Sequence, residues 1–379
     1  MISDFDDFMI HQAAMPVRQP GISDRNFYDR YWFNGFDESG RFMFEAGFGR
    51  YPHRFVQDGH FSVLIDGVQH SFHASGRAPY DPKDSSMGPL RIEIIEPMRV
   101  VRIVLEPNDT GMACELTFYA KAPPHQEPKN VMYDGPRLIM DAQRFTQFGQ
   151  WEGWFSIQGT RTEVKRSATP AVRDRSWGVR PVGEFEEGAP SRLSTDPAVY
   201  WVWSPIHFDD FCTLFLTREE PDGTAQELGG AVVKTYASMD QIPGGGEASA
   251  AEQIMANGSH RIQWLSGTRW PQSARISLQS RDGTRHTLDL ELDPKLRFQL
   301  MGIGYQHPEW KHGLWRDELD IGYESWKIDE VEPDEYCTIH VHTLARAKLG
   351  DKAGIGILET LCYGRHAPSG FEDLFDGAP

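Results

Sequence analysis

Between Pro170 and Pro181 the chain reads Arg173-Asp174-Arg175-Ser176-Trp177-Gly178-Val179-Arg180. This is a local excess of positive charge in a chain whose net charge is -17. If the stretch is extended, alternate side chains point to opposite faces. Asp174, Ser176 and Arg180 then share one face, and Arg173, Arg175 and Trp177 share the other. Neither face is apolar, so an ordinary half-buried strand does not account for the pattern. Two readings remain: an Arg–Asp network that ties sheets or domains together, or the floor of an active site with Asp174 handling protons.

A second set of reactive side chains lies in Gly302-Ile303-Gly304-Tyr305-Gln306-His307-Pro308-Glu309-Trp310-Lys311-His312-Gly313-Leu314-Trp315. Pro308 and the glycines argue against a regular helix there. A metal site would need a third ligand from elsewhere, such as His340 or His342, which fall on one strand face. No ligand spacing of a known metal motif supports this, and no metal is expected. The histidines are either satisfied by neighbouring carbonyls or are pocket-lining acid/base groups. In the second case His307 is a catalytic candidate, and Tyr305, Trp310, His312 and Trp315 are substrate-binding candidates. A third set is Ser204-Pro205-Ile206-His207, which follows the aromatic run Tyr200-Trp201-Val202-Trp203. His207 is a candidate to exchange protons with a substrate or to orient Asp174, with Trp201 and Trp203 as pocket wall. Glu45, Arg50, Tyr51 and His53 form a smaller polar group, expected in a surface loop. A Gly-x-Ser-x-Gly elbow, a recognisable nucleophilic cysteine and a phosphate-binding glycine loop are all missing from the sequence, which disfavours triad hydrolysis and nucleotide chemistry.

The elements that must position these groups read as strands. Residues 60–65, Asp66-Gly67 and residues 68–73 form a hairpin with a two-residue turn. Further short, turn-punctuated strand patterns fill residues 31–119, 144–157, 200–216, 254–292 and 336–362. Residues 123–128, rich in proline, read as a connection over the surface. Tyr31-Trp32-Phe33 and Tyr200-Trp201-Val202-Trp203 are each followed, at a similar offset, by an aromatic-rich strand, which points to two related β-domains in tandem. The 379 residues suffice for two domains, and 39% hydrophobic with 25% charged residues marks a globular chain.

No apolar run is long enough for a transmembrane helix, and the acidic start lacks the basic region of a secretory signal. The four scattered cysteines read as free thiols, so a cytoplasmic location is expected. The acidic balance disfavours nucleic acid and anionic membranes. Eleven tryptophans suit either β-sandwich cores or the walls of an apolar pocket.

The run Arg173-Asp174-Arg175-Ser176-Trp177-Gly178, with Tyr200-Trp201 and residues 302–315, resembles the lipocalin-like superfamily of bacterial carotenoid 1,2-hydratases, also called hydroxyneurosporene synthases. AttH-like proteins and fungal decalin-forming pericyclases resemble the same group. The resemblance extends over nearly the whole chain and is nearest to a two-domain branch. It implies an all-β fold of two tandem lipocalin-like (calycin) β-barrel or sandwich domains packed side by side, here expected over residues 1–165 and 166–379, with a short C-terminal tail. It also implies chemistry without a cofactor on an isoprenoid-, steroid- or polyketide-like molecule, in an apolar pocket near the domain contact. Asp174 and Trp177 sit where the hydratase motif has its aspartate and tryptophan.

Hydration of an alkene begins with protonation, which a carboxylic acid can perform if burial keeps it protonated. Aromatic faces then stabilise the cation. Three neighbouring arginines argue the other way, toward an ionised Asp174 acting as a base in an isomerisation. The expected function is therefore hydration, dehydration or isomerisation, with Asp174 handling protons, Arg175 and Arg180 holding it or a substrate oxygen, and Trp177 lining the pocket. The rivals are a non-catalytic carrier of apolar ligands and a pericyclase. The expected partner is a hydrophobic small molecule, with a homodimer as one assembly the sequence allows.

Overall fold

The computed structural model describes residue 6 and residues 9–182, 197–244 and 251–379. Among the described residues there is no α-helix, only short 3-10 turns between strands. In chain order the first half forms β1 (Phe27–Phe36), β2 (Phe42–Tyr51), β3 (Val56–Ile65), β4 (Val68–Arg77), β5 (Ser86–Met87), β6 (Leu90–Glu96) and β7 (Val100–Leu105). It continues with β8 (Met112–Ala120), β9 (His125–Gln126), β10 (Asn130–Asp134), β11 (Arg137–Ile157), β12 (Thr160–Val164) and β13 (Pro170–Val179). The second half forms β14 (Val199–His207), β15 (Phe211–Glu219), β16 (Ala225–Lys234), β17 (Glu252–Trp264) and β18 (Pro271–Ser280). It ends with β19 (Arg285–Gln299), β20 (Leu319–Lys327), β21 (His340–Leu349) and β22 (Lys352–Tyr363).

The strands make two antiparallel sheets. One runs β20-β4-β3-β2-β1-β13-β11-β8-β7-β6-β5, with β9, β10 and β12 on β11; the other is a closed barrel of β14 to β19, β21 and β22. The first sheet curls until Ile321 and Leu319 of β20 reach Gly88 beside β5, so it is nearly closed as well. This is the all-β, two-barrel architecture expected. A division between residues 165 and 166 lies ahead of β13, which pairs with β1 and β11 inside the first sheet. β20 also belongs to that sheet, although the barrel strands β19 and β21 flank it in the chain.

Period-two patterning explains each layer. Phe33, Phe44, Phe61, Phe72, Phe118 and Trp151 point into the first barrel. Val202, Ile206, Phe215, Leu278, Leu290 and Leu358 fill the second. A third apolar layer, including Trp32, Phe148 and Val172 from one sheet and Trp203, Leu214 and Ile357 from the other, joins the outer faces of the two barrels. The β3–β4 hairpin closes as expected, with Ile65 paired to Val68 across Asp66 and Gly67. Both turn residues have positive φ, 51° and 76°, as a type I′ turn requires.

The tandem aromatic strands are the opening strands of the two barrels, β1 and β14. Their indoles, Trp32 and Trp203, meet edge-to-face across the contact at 5.5 Å between ring centroids. Among the described residues no helix is long and apolar enough to cross a membrane.

Candidate active site between the barrels

β13 lies between β1 and β11, which pairs Asp174 with Trp32 on one side and Thr146 on the other. Its faces alternate as the sequence implies. Val172 is in the contact layer, whereas Ala171 belongs to the first barrel's core. Asp174 therefore faces the second barrel and Arg173 the interior of the first. The glycine of this stretch has a steric cause: Gly178 has φ 128°, and a Cβ there would stand 2.2 Å from the Asp141 carbonyl oxygen on β11.

Asp174 opens on a cavity of about 20 Å³ lined by Trp32, Arg144, Asp174, Trp203, Leu300, Tyr305, His342 and Glu359. That volume holds about one water molecule. The expected apolar pocket is thus a small chamber with aromatic walls and a titratable floor. Asp174 is 9% exposed. Burial pushes its pKa up to about 7; Arg144 and Arg30 pull it down, and Glu127 and Glu359 push it up. Desolvation wins because Arg144 is paired with Glu127, and Glu127 and Glu359 oppose the pull of the arginines.

That balance is visible in the contacts. Glu127, 3% exposed, forms an ion pair with Arg144 and accepts from Trp203 Nε1 at 3.2 Å. The proline-rich segment 123–128, expected on the surface, instead delivers Glu127 to the interior, because β9 pairs it onto β11. Across the cavity Glu45, fully buried on β2, accepts from Trp32 Nε1 and Asn34 Nδ2, each at 3.0 Å. His342 Nδ1 donates to the same carboxylate at 2.7 Å. Burial disfavours charge on His342, but Glu45 and Glu359 overcome it and lift its pKa to about 10. His340, on the same face of β21, is 2.8 Å from Glu359 Oε1 through Nε2, and burial holds its pKa below the usual histidine range. Glu359 is held low: its burial is outweighed by the two imidazoles.

Of the residues singled out from sequence, the structure brings Asp174, Trp203 and Tyr305 to this cavity. Arg180 stands just behind, its guanidinium 5.4 Å from the Tyr305 ring centre and 5.3 Å from that of Tyr28. Trp201 lies under Arg144 at 5.3 Å. His312 packs edge-on against Tyr305 at 4.5 Å, its Nε2 2.8 Å from the Ile303 carbonyl oxygen, and burial keeps it neutral. Arg175 points away from Asp174; it pairs with Asp29 and covers the Tyr31 ring at 4.1 Å. Trp177 is 40% exposed and touches Phe145, and Trp315 is 42% exposed beneath Arg77. His207 lies outside the cavity lining. It sits between Phe36 and Phe148, with its pKa pushed down to about 3 by burial.

His307 belongs to a separate polar chain. Its Nδ1 accepts the backbone N–H groups of Glu309 and Trp310 at 2.9 and 2.8 Å, so its proton is on Nε2 and goes to Glu324 at 2.7 Å. His73 Nε2 meets the same carboxylate oxygen at 2.9 Å, and His73 Nδ1 is 2.8 Å from His60 Nδ1. His73, His307 and Glu324 are close enough together to hold a metal ion. Because His307 Nδ1 accepts two backbone N–H groups, it cannot take up the ring proton that a metal would displace from Nε2, so this group stands as a hydrogen-bonded chain. Trp310 stacks on His73 at 5.3 Å and so packs this chain, not the cavity.

Arg144, Leu300 and Glu359 carried no sequence signal, because each is a single residue facing the contact layer. Trp32 was signalled by the tandem aromatic strands, and His342 by its shared strand face with His340. Glu45 belonged to the polar group expected in a loop and is instead a buried strand residue, because β2 is covered on both faces.

Residues 2–372 match the model of a family described as "Family of unknown function (DUF8625)". No curated protein matches the chain. Among solved structures, an AttH-like protein from Nitrosomonas europaea superposes with a TM-score of 0.54 at 15% identity, over 88% of this chain and 92% of that one. Kievitone hydratase from Nectria haematococca gives 0.51 at 10% identity, over 88% of each chain. CghA gives 0.50 at 9% identity, over 90% of this chain and 89% of its own. The resemblance drawn from the sequence is therefore borne out in the fold.

Proposed function

The chain belongs to the DUF8625 family, whose description names no activity, and from the site itself we propose that it is an enzyme that hydrates, dehydrates or isomerises a hydrophobic small molecule. The observation that carries this reading is the pairing of a buried carboxyl group that titrates near neutrality with a space for about one water beside it. A general acid works best when its pKa is near the working pH.

In the hydration direction Asp174 gives its proton to an alkene carbon, and the faces of Trp32 and Trp203 shield the carbocation. Water adds to the cation, and the proton it sheds returns to the Asp174 carboxylate, so the proton count closes on one group. Dehydration is the reverse. In an isomerisation the same carboxyl takes a proton from one carbon and returns it at another. Arg144 and Glu127 keep Asp174 poised, and Arg180 holds the Tyr305 wall. The shared fold with kievitone hydratase, whose name states a hydration, supports this class of reaction. An isoprenoid-, steroid- or polyketide-like substrate is larger than the chamber, so reaching Asp174 requires movement of the irregular segment that bears Tyr305, between the turn at Leu300–Ile303 and β20.

The test is a panel of terpenoid and polyketide alkenes, with the matching tertiary alcohols, incubated in ¹⁸O-labelled or deuterated water and read by mass spectrometry. Label enters the product with the wild type and not with Asp174→Asn. Full turnover by a folded Asp174→Asn protein overturns the proposal.

A further inference from the structure

His340 and His342 are two residues apart on β21, so both side chains leave the same face of the second barrel. Glu359 lies opposite His342 in the β21–β22 register and opposite Trp203 in the β14–β22 register. The three side chains thus come from two hydrogen-bonded strands of a closed barrel, which is a rigid mount. One ligand atom from each lies within 4.8 Å of the others. His342 Nε2 is buried with no hydrogen-bond partner, 3.3 Å from Glu359 Oε2. In a tetrahedral zinc site with metal–ligand bonds of about 2.0 Å, neighbouring ligand atoms are about 3.3 Å apart.

The far side of each ring is also prepared. Glu45, from the other barrel, takes the Nδ1 proton of His342 at 2.7 Å. The Gln306 side-chain oxygen is 3.1 Å from His340 Nδ1. Both contacts give the Nδ1 protons an acceptor and aim the Nε2 atoms at Glu359, so that a metal would displace the Nε2 protons now turned to that carboxylate. Gln306 has φ 50°, a left-handed backbone that is uncommon for a residue other than glycine, asparagine or aspartate. Two carboxylates, Glu45 and Glu359, serve these rings, so the group keeps negative charge beside a metal once the Nε2 protons are displaced. His342 and Glu359 also line the water-sized cavity, so a coordination position is open toward Asp174.

We propose that His340, His342 and Glu359 form a binding site for a divalent first-row transition metal, with Glu45 and Gln306 as its outer partners and one open position on the cavity. Two imidazoles and a carboxylate are a donor set that zinc and iron(II) both accept. This departs from the expectation that the chain needs no metal, and it stands on ligand geometry independently of the reaction proposed above. The second histidine group, around Glu324, serves as an internal control.

The experiment uses the full-length chain with any affinity tag removed, dialysed against EDTA and titrated with zinc chloride in competition with a chromophoric chelator. Wild type takes up one equivalent. Uptake falls at least 100-fold in affinity in His342→Ala and Glu359→Gln, and 10- to 100-fold in Glu45→Gln. It is unchanged in His307→Ala, and also in Asp174→Asn, so failure of this site and failure of the proposed reaction are told apart. Because His342→Ala removes a buried group, the cobalt(II) spectrum of the wild type gives a measure that needs no variant. Visible absorption bands of four- or five-coordinate cobalt are expected. Absence of both zinc uptake and these bands in the wild type overturns the proposal, as does binding that survives in Glu359→Gln or is lost in His307→Ala.

Discussion

Asp174 stands directly across from Trp32 in the β1–β13 register, and both side chains end in the same cavity. A buried acid therefore sits beside an indole whose own N–H is committed to Glu45. Trp32 cannot rotate to donate to Asp174 without taking away the donor that Glu45 Oε2 has, so the indole N–H does not tie up the carboxyl that faces the chamber.

Replacing Asp174 with asparagine keeps the shape and removes the proton. Turnover should fall by about 10²- to 10⁴-fold, the usual worth of a positioned acid or base. The measurement is kcat/KM for the substrate found in the labelling panel, with circular dichroism confirming the fold. The wild-type rate should also lose its acid form as pH rises through about 7.

The same substitution should stabilise the protein at alkaline pH. Asp174 binds its proton more tightly in the folded chain, near pH 7, than in the unfolded one, near 3.8. Its contribution to stability is thus fully present below pH 3.8 and is lost as pH rises through 7. Asp174→Asn should exceed wild type by roughly 1–3 kcal/mol at pH 8 and lose that advantage toward pH 4. Urea unfolding at the two pH values checks it; a gap that widens toward acid would show that Asp174 is ionised in the fold.

Arg144 and Glu127 should behave as a unit. Arg144→Met leaves Glu127 buried without its cation, at a cost of roughly 2–4 kcal/mol, the lower part of the range being apt because 25% of the Arg144 side chain meets solvent. The double variant Arg144→Met/Glu127→Gln should recover at least half of that loss. Arg144→Met alone should also move the pH midpoint of turnover upward, because Arg144 is the strongest influence holding the Asp174 pKa down.

His207 is packed by aromatic rings and carries no charge at neutral pH. Its Nε2 is buried without a partner. His207→Phe should change stability by less than about 1.5 kcal/mol and leave kcat/KM unchanged. A loss of a hundredfold or more would return His207 to the reaction.

What the sequence made legible was local. The Asp66-Gly67 turn, the alternation around Asp174 and the tandem aromatic strands could each be read from a few adjacent residues, because strand period and turn chemistry are short-range. The cavity was less legible, since its walls come from β1, β11, β13, β14, β21 and β22, and no spacing links Arg144 to Glu359. Glu45 and Glu127 looked like surface residues because a buried acid is recognisable only through its partners, which include His342, 297 residues from Glu45, and Trp203, 76 residues from Glu127. The arginines near Asp174 were read as favouring its ionised form. In the fold Arg175 is turned to Asp29, and Arg144 is matched by Glu127, which leaves burial as the larger influence.

β20 crosses back from the second half of the chain to lie on β4. During synthesis, therefore, β4 emerges from the ribosome paired with β3 on one side only, and its outer N–H and C=O groups wait for more than two hundred further residues before β20 covers them. The halves are interlocked and not simply strung together. Neither can be excised by cutting the chain at one place, and a nascent chain stalled before residue 319 would expose a sticky margin for chaperones to guard.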